Sequence, residues 1–403
     1  MYERYLELDG TEVINAARTA AYISRFLPRV DIHCDDSALG GALGHSEYVS
    51  PAIDQAPWTR SGRVAAEGFY GLMPKRFQGA EDSTRAVEVT ELSGNNAVIT
   101  SPRFGSREIR VTATAFAADQ EAMMEGLSWL KQVCAHEGCS DAEPGCTGIA
   151  AKMFAAPPID EVAAFDLART FYRVEVTEGP RVISKLRSGD GEKWEIEFTL
   201  TCGISWPFTS EAECGWVNMD EGSNFQDPPG ENCAAVTNAY DDFVADPFFT
   251  GISRPPRPPA ILPPNILKIT SWRRQTITIP VAHSSRFGRV APIVAVGTEL
   301  EIQYLRLRFY REGAGLSGCD FDAEAIVSYL PATSTLVLDA RTREAWLTLW
   351  DGRKVPAGNL LFGSDGRPFI WPSLGCQYTY TMTADLMPGQ LGVAVGLNVA
   401  VRD

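Results

Sequence analysis

Polar and apolar residues alternate along much of this chain with a period of two, the spacing of half-buried β-strands whose successive side chains point to opposite faces. Tyr5 to Val13 alternates around Asp9-Gly10, a dipeptide suited to a hairpin turn, and Ala86 to Leu92 and Glu108 to Phe116 repeat the pattern with valine, isoleucine and threonine enriched. Phe171 to Val176 and Trp194 to Cys202 are the cleanest examples, aromatic and aliphatic on one side and glutamate, threonine and arginine on the other. One long segment departs from the rule. From Asp119 to about His136, the residues Met123, Leu127, Leu130 and Cys134 recur at steps of three and four, while Glu121, Glu125, Lys131 and Gln132 take the opposite side. The spacing predicts a helix over 119–136, capped by Asp119 and stopped at Gly138, lying across a β-sandwich or split barrel.

Residues 206–250 carry few alternating positions and many Gly, Pro, Asn, Asp and Ser, which predicts long loops. Next comes a run with six prolines in thirteen positions, 253–265: Pro255, Pro256, Pro258, Pro259, Pro263 and Pro264. Proline fixes φ and removes the amide donor, so this stretch takes an extended, semi-rigid path. It reads as a linker between two bodies, with a proline-rich surface loop inside one domain as the alternative. Strand patterns resume at 275–280, 299–310, 325–329, 335–338, 345–349, 378–384 and 391–401, with turn signals at Asp351-Gly352, at Ser364 to Gly366 and at Pro388-Gly389. The expected organisation is therefore mainly β: a sheet domain with one helix over 1–252, a linker over 253–265, and a jelly-roll-like β-sandwich over 266–403.

Composition narrows the function classes. The 403 residues include 36 basic and 51 acidic side chains, a net charge of -15, which argues against a phosphate-seeking surface and specific nucleic-acid binding. No stretch approaches the about 18 consecutive apolar residues that span a bilayer. Nine cysteines, an odd number scattered over a long chain, do not resemble a disulfide framework and fit synthesis in a cytoplasm. Cys134, His136, Cys139 and Cys146 lack paired zinc knuckles; free or buried thiols are the first reading, with a zinc site or a local Cys139–Cys146 bridge as alternatives.

Candidate chemistry is thin. The histidines His33, His45, His136 and His283 sit in unrelated contexts, and no nucleophile elbow, phosphate loop or complete dinucleotide fingerprint is present. Glu195 and Glu197 share one face of a strand, which reads as a solvated face in preference to a glycosidase pair. Asp35-Asp36 and Asp241-Asp242 lack calcium-loop spacing. The expectation is a protein that is not an enzyme and uses no cofactor or metal. Trp346, Trp350, Phe369 and Trp371 are the candidate contact residues: either they fill the second domain's core, or they offer a face to a glycan or protein partner, Trp371 between Pro368 and Pro372 first among them.

Several strings together resemble one family. They are Tyr5 to Tyr22, Arg169 to Val174 with Trp194 to Leu200, Arg254 to Ile261, Val327 to Pro331 and Leu361 to Gly366. The chain they belong to is similar to the minor tail proteins of long-tailed actinobacterial phages, and within these to the distal tail protein. That resemblance implies a virion protein made in the host bacterial cytoplasm and placed at the distal end of the tail. It implies a hexameric ring formed by the first domain, with the tail tube, tape-measure protein and tail-tip hub or fibre proteins as partners. The alternative is a tail protein that binds host cell-wall glycan through its C-terminal β-domain. An acidic ring lumen would suit the passage of DNA, since like charges repel phosphate.

Overall fold

The computed structural model describes residues 1–30, 37–45, 47–82, 85–86, 89–91, 97–99, 103–135, 148–188, 191–226, 271–281, 288–313, 321–363, 369–372 and 374–402. The proline run therefore lies outside the described residues, as do Cys34, Cys139, Cys146, Cys233, Cys319, His33, His136, His283, Asp35-Asp36 and Asp241-Asp242. The chain is mainly β, and its contacts divide it into two units, one reaching Ser210 and the other running from Glu211.

In the first unit, β1 (Tyr2–Leu8) and β2 (Thr11–Asn15) form the predicted hairpin, with Asp9 and Gly10 both at positive φ in its turn. Helix α1 (Ala16–Phe26) follows directly and corrects the expectation of a single substantial helix. Asn15 nucleates it. The Asn15 Oδ1 accepts from the amide of Arg18, while its Nδ2 donates to Glu12 at 2.8 Å and to the Tyr48 hydroxyl at 3.0 Å. A short helix α2 (Ser37–Ala42) and the strand β3 (Phe69–Gln78) come next. The loop between them is pinned by Asp54, whose Oδ2 accepts from the Tyr22 hydroxyl and from the amides of Val49 and Ser50.

Two small ladders pair β4 (Arg85–Ala86) with β7 (Arg103–Phe104) and β5 (Val89–Glu91) with β6 (Ala97–Ile99). Strand β8 (Arg107–Ala117) then leads into α3 (Gln120–Cys134), the predicted long helix, with Asp119 Oδ1 accepting from the Ala122 amide at 2.9 Å. Met123, Leu127, Leu130 and Cys134 are all buried, as their spacing requires. After β9 (Ile149–Phe154) and α4 (Glu161–Leu167), the chain makes the long hairpin of β10 (Ala168–Ser188) and β11 (Gly191–Cys202).

These strands form one antiparallel sheet in the order β2-β1-β9-β10-β11-β8-β3. Its two ends approach each other, because β3 packs against β1 and β2 and the Phe77 amide donates to the Glu3 carboxylate at 2.9 Å. A side chain closes the seam where a backbone ladder would close a full barrel, so the architecture is a split barrel.

In the second unit, β12 (Ala212–Asn218) and β13 (Ser223–Gln226) replace part of the expected 206–250 loop. After them come β14 (Ser271–Ile279), β15 (Arg289–Thr298), β16 (Ile302–Arg311), β17 (Phe321–Leu330), β18 (Ser334–Asp339), β19 (Glu344–Thr348), β20 (Lys354–Pro356), β21 (Leu361–Phe362), β22 (Leu374–Gly375), β23 (Tyr380–Leu386) and β24 (Val393–Arg402). One sheet runs β12-β24-β15-β18-β19-β20, with β22 on β15; the other runs β13-β14-β23-β16-β17-β21. The chain crosses repeatedly from one sheet to the other over a shared apolar core, which is the jelly-roll-like sandwich expected. Because β12 pairs with β24 and β13 with β14, the second unit starts at Glu211, well before the proline run assigned as the boundary. Glycines, asparagines and an outward tryptophan on these edge strands conceal their pattern.

Helix α3 meets the sheet at a point that leaves no space for a methyl group. A Cβ on Gly126 would lie 2.2 Å from the Phe69 ring. Gly126→Ala should therefore lower the midpoint of thermal unfolding, at a cost of about 1–3 kcal/mol from overpacking. The change outweighs the gain of about 1 kcal/mol that alanine brings to a helix interior. Calorimetry of the two proteins decides the sign.

Candidate functional surfaces

Strand β11 is paired on both sides along its whole length, with β8 from Glu192 opposite Ala117 to Cys202 opposite Arg107, and with β10 from Gly191 to Cys202. Strand β10 is different. Its first residues, Ala168 to Val174, pair with β9, but from Glu175 to Ser188 β11 is its one strand partner among the described residues. Among the described residues, one edge of this long arm has no strand beside it, and its outer part carries exposed Val182, Ile183 and Leu186. The other edges of the sheet are protected. Strand β2 is five residues long, and β3 carries Pro74, Lys75 and Arg76 with two register shifts.

Glu195 and Glu197 project from β11 as the alternation predicted. Lys75 Nζ lies 2.8 Å from Glu195, and Arg181 pairs with Glu197. The hydrogen bond from Lys75 holds the Glu195 carboxyl below its ordinary range. Each carboxylate thus has its own cation.

The second unit has a charged face built across the sheet of β14, β23, β16 and β17. Arg274 grips Asp385 with two nitrogens, and Arg306 Nε donates to the same carboxylate at 2.9 Å. Arg308 binds Glu324 one row along, and the Arg274 and Arg306 guanidiniums stack on Phe225 and Trp272. Asp385 is fully buried and the arginines nearly so. All these charges are paired and sandwiched, an arrangement that fixes strand register.

The four candidate aromatics do not form one group. Trp350 is 77% exposed in a turn. Trp346 stands half-buried on β19, its indole N–H donating to Glu344 at 3.3 Å. Phe369 and Trp371 meet edge to face, with centroids 4.9 Å apart, and pack against the sandwich core beside Val294, Phe309 and Leu338. Trp216, which sequence reasoning left inside a presumed loop, is 56% exposed on β12. Only its outward place on an edge strand could have signalled it.

The described cysteines Cys134, Cys202, Cys214 and Cys376 are free thiols. Among the described residues no cluster of His, Cys, Asp or Glu has the makings of a metal site. His45 is exposed, its ring against Tyr48.

Two outcomes follow from these buried groups. Asp385→Ala removes the carboxylate shared by Arg274 and Arg306 and should destabilise the second unit by about 3–5 kcal/mol, read by urea unfolding. Asp351→Ala, at an ion pair in solvent with Arg353, should leave the midpoint unchanged. Burial also pushes the thiols of Cys134 and Cys202 up to about 12. At pH 8 both stay protonated and should resist alkylation in the folded protein while labelling in denaturant, as mapped by peptide mass spectrometry. Because the folded values lie above the unfolded ones, their contribution to stability is complete at neutral pH. It is lost as pH rises above about 9, where the unfolded thiols ionise first.

No known protein family matches this chain, and no curated protein matches it. Among solved structures it is similar to the SPP1 Dit (gp 19.1) protein, whose crystal structure is titled a paradigm of the hub adsorption apparatus in Gram-positive infecting phages. The likeness has a TM-score of 0.38 and 10% identity, and covers 84% of this chain and 96% of that one.

Proposed function

We propose that this chain is a structural protein of the phage tail tip, a ring-forming adaptor of the distal-tail type that joins the tail tube to the host-contacting tip. It acts by assembly and contact, without catalysis or a cofactor. The observation that carries the reading is the open edge of β10. A strand edge with no partner from Glu175 to Ser188 among the described residues, with Val182, Ile183 and Leu186 in solvent, is a template for a strand of another chain. Where this edge meets a different surface of the next copy the contact is head to tail, and head-to-tail contacts close into rings when the rotation allows. The likeness of Tyr5 to Tyr22, Arg169 to Val174 and Trp194 to Leu200 to minor tail proteins supplies the setting. Tail tube, tape-measure and hub or fibre proteins are then the partners, and the distal end of the virion tail is the location.

Native mass spectrometry and negative-stain imaging of the full chain test this reading. Six-fold rings are expected, alone or with the tail-tube protein as template. Ile183→Asp with Leu186→Asp places charge on the open edge and should give monomers with an unchanged circular dichroism spectrum. Monomers of the natural chain at every concentration and with tube protein present would overturn the proposal, as would rings that persist in the double variant.

A further inference from the structure

Helix α4 is apolar on two sides. Asp160 Oδ1 caps it by accepting from the Ala163 amide at 2.7 Å, while Ala164 and Leu167 pack on the core of the first unit. Val162 and Phe165, three positions apart and so on one helix face, are 72% and 56% exposed, and Ile159, just ahead of the cap, is 75% exposed. Apolar residues scattered singly in solvent are ordinary. A short helix with one apolar face on the core and a second in solvent is a surface that a partner covers.

The arm of β10 carries a counterpart in exposed Val182, Ile183 and Leu186. Charge matches the two as well. From Arg181 to Ser188 the chain has the cations Arg181, Lys185 and Arg187 and no acid, whereas from Ala155 to Ala168 it has Asp160, Glu161 and Asp166 and no cation. The glutamates of β11 behind the arm already have cations: Arg181 on Glu197, Arg187 on Glu192 and Lys75 on Glu195. Both of these arginines are largely in solvent, where an ion pair is weak and a guanidinium can turn to a second carboxylate. Nearer the body of the sheet, Glu178 accepts from Thr199, and after α4 Arg169 donates to the carbonyls of Asp166 and Ala168.

Strand β10 keeps the two patches apart. Helix α4 ends at Leu167, the residue before β10, and the apolar part of the arm begins at Val182, so at about 3.3 Å per residue they lie up to roughly 45 Å apart on one copy. Neither covers the other within a chain. We infer that the surface which the arm meets on the next copy is α4, Val182, Ile183 and Leu186 covering Ile159, Val162 and Phe165, with the arm's three cations set among the three acids of α4. A second copy is the occupant because it brings the apolar set and the opposite charge together, and because the contact joins two different surfaces, as closure into a ring requires. The inference rests on the ring-forming reading and names the partner surface of the same arm. Side-chain docking on α4 then sets which part of the next copy the open edge is held against.

The test uses the full chain with Leu186 replaced by the photo-crosslinking residue p-benzoylphenylalanine, mixed with isotope-labelled natural chain, alone and with tail-tube protein, then irradiated and digested. Adducts that join the arm to the peptide around Ile159, Val162 and Phe165 of the differently labelled copy are expected. Val162→Asp with Phe165→Asp leaves the arm untouched and should raise the concentration for half-assembly about a hundredfold, the loss of two covered apolar side chains. Circular dichroism verifies that this variant is folded. Charge reversal adds a readout that misfolding does not imitate. Lys185→Glu with Arg187→Glu should impair assembly, Glu161→Lys with Asp166→Lys should impair it likewise, and all four changes in one chain should restore it. Oligomers whose arm adducts map to other peptides, or which form undiminished in the folded Val162→Asp, Phe165→Asp variant, would overturn this inference and leave the ring-forming reading standing. Absence of oligomers of the natural chain at every concentration and with tube protein would overturn both.

Discussion

Every strand in an antiparallel sheet needs a partner on each side or some protection for the side that lacks one, and the first unit is organised by where that need is met. Strand β11 meets it completely. Its ladder with β8 runs from Glu192 to Cys202 without a shift, and Trp194, Ile196, Phe198, Leu200 and Cys202 project from it into the core. Strand β10 follows the same strand but with three shifts in register, near Val176, Glu178 and Val182. Each shift increases local twist along the arm, which stays paired with β11 to Ser188 past Ile149, the first residue of β9. Among the described residues, the open edge is thus a product of unequal strand lengths.

The second unit solves a different problem, because it is a sandwich whose sheets each have an outer face. One outer face is filled with charges that neutralise one another, Arg274 and Arg306 on Asp385 and Arg308 on Glu324, under stacked aromatic rings. Buried ion pairs of this kind contribute little net stability but penalise misregister strongly, since a slip by one residue would point each guanidinium into the apolar core. The other outer face carries Gly396, Ala295 and Val337 in a row between Trp216 and Trp346, with buried Ala291 and Ile293 farther along β15.

How much of this was legible in the sequence depended on whether a pattern was local. Helix α3 was readable because Met123, Leu127, Leu130 and Cys134 form a stripe within one helix and Asp119 marks its start. Helix α1 was missed because its buried residues, Ala16, Ala17, Arg18, Thr19, Tyr22 and Ile23, mix small, charged and polar side chains with two large ones and so hide the period, although Asn15 was available as a cap. Strand β15 was missed for the opposite reason. Val290, Ala291, Ile293, Val294 and Val296 are buried on both faces of a central strand, and a strand covered on both sides has no alternation to show. The proline run attracted the domain boundary because proline is conspicuous, while β12 and β13, which belong to the second unit, are edge strands with few inward residues.

The row from Trp216 to Pro356 could not be read locally at all. Its members lie on six strands, and Trp216 and Trp346 are brought onto one face only through the pairings of β24, β15 and β18 between them. What sequence could show of that row was its cost. Gly396 stands in Val393–Arg402, a run of alternating valines and leucines where a β-branched residue would serve the strand better. A local preference violated inside an otherwise regular strand indicates that something outside the strand requires the space. Once the fold is known, the indole of Trp216, paired across from Gly396, is what occupies it.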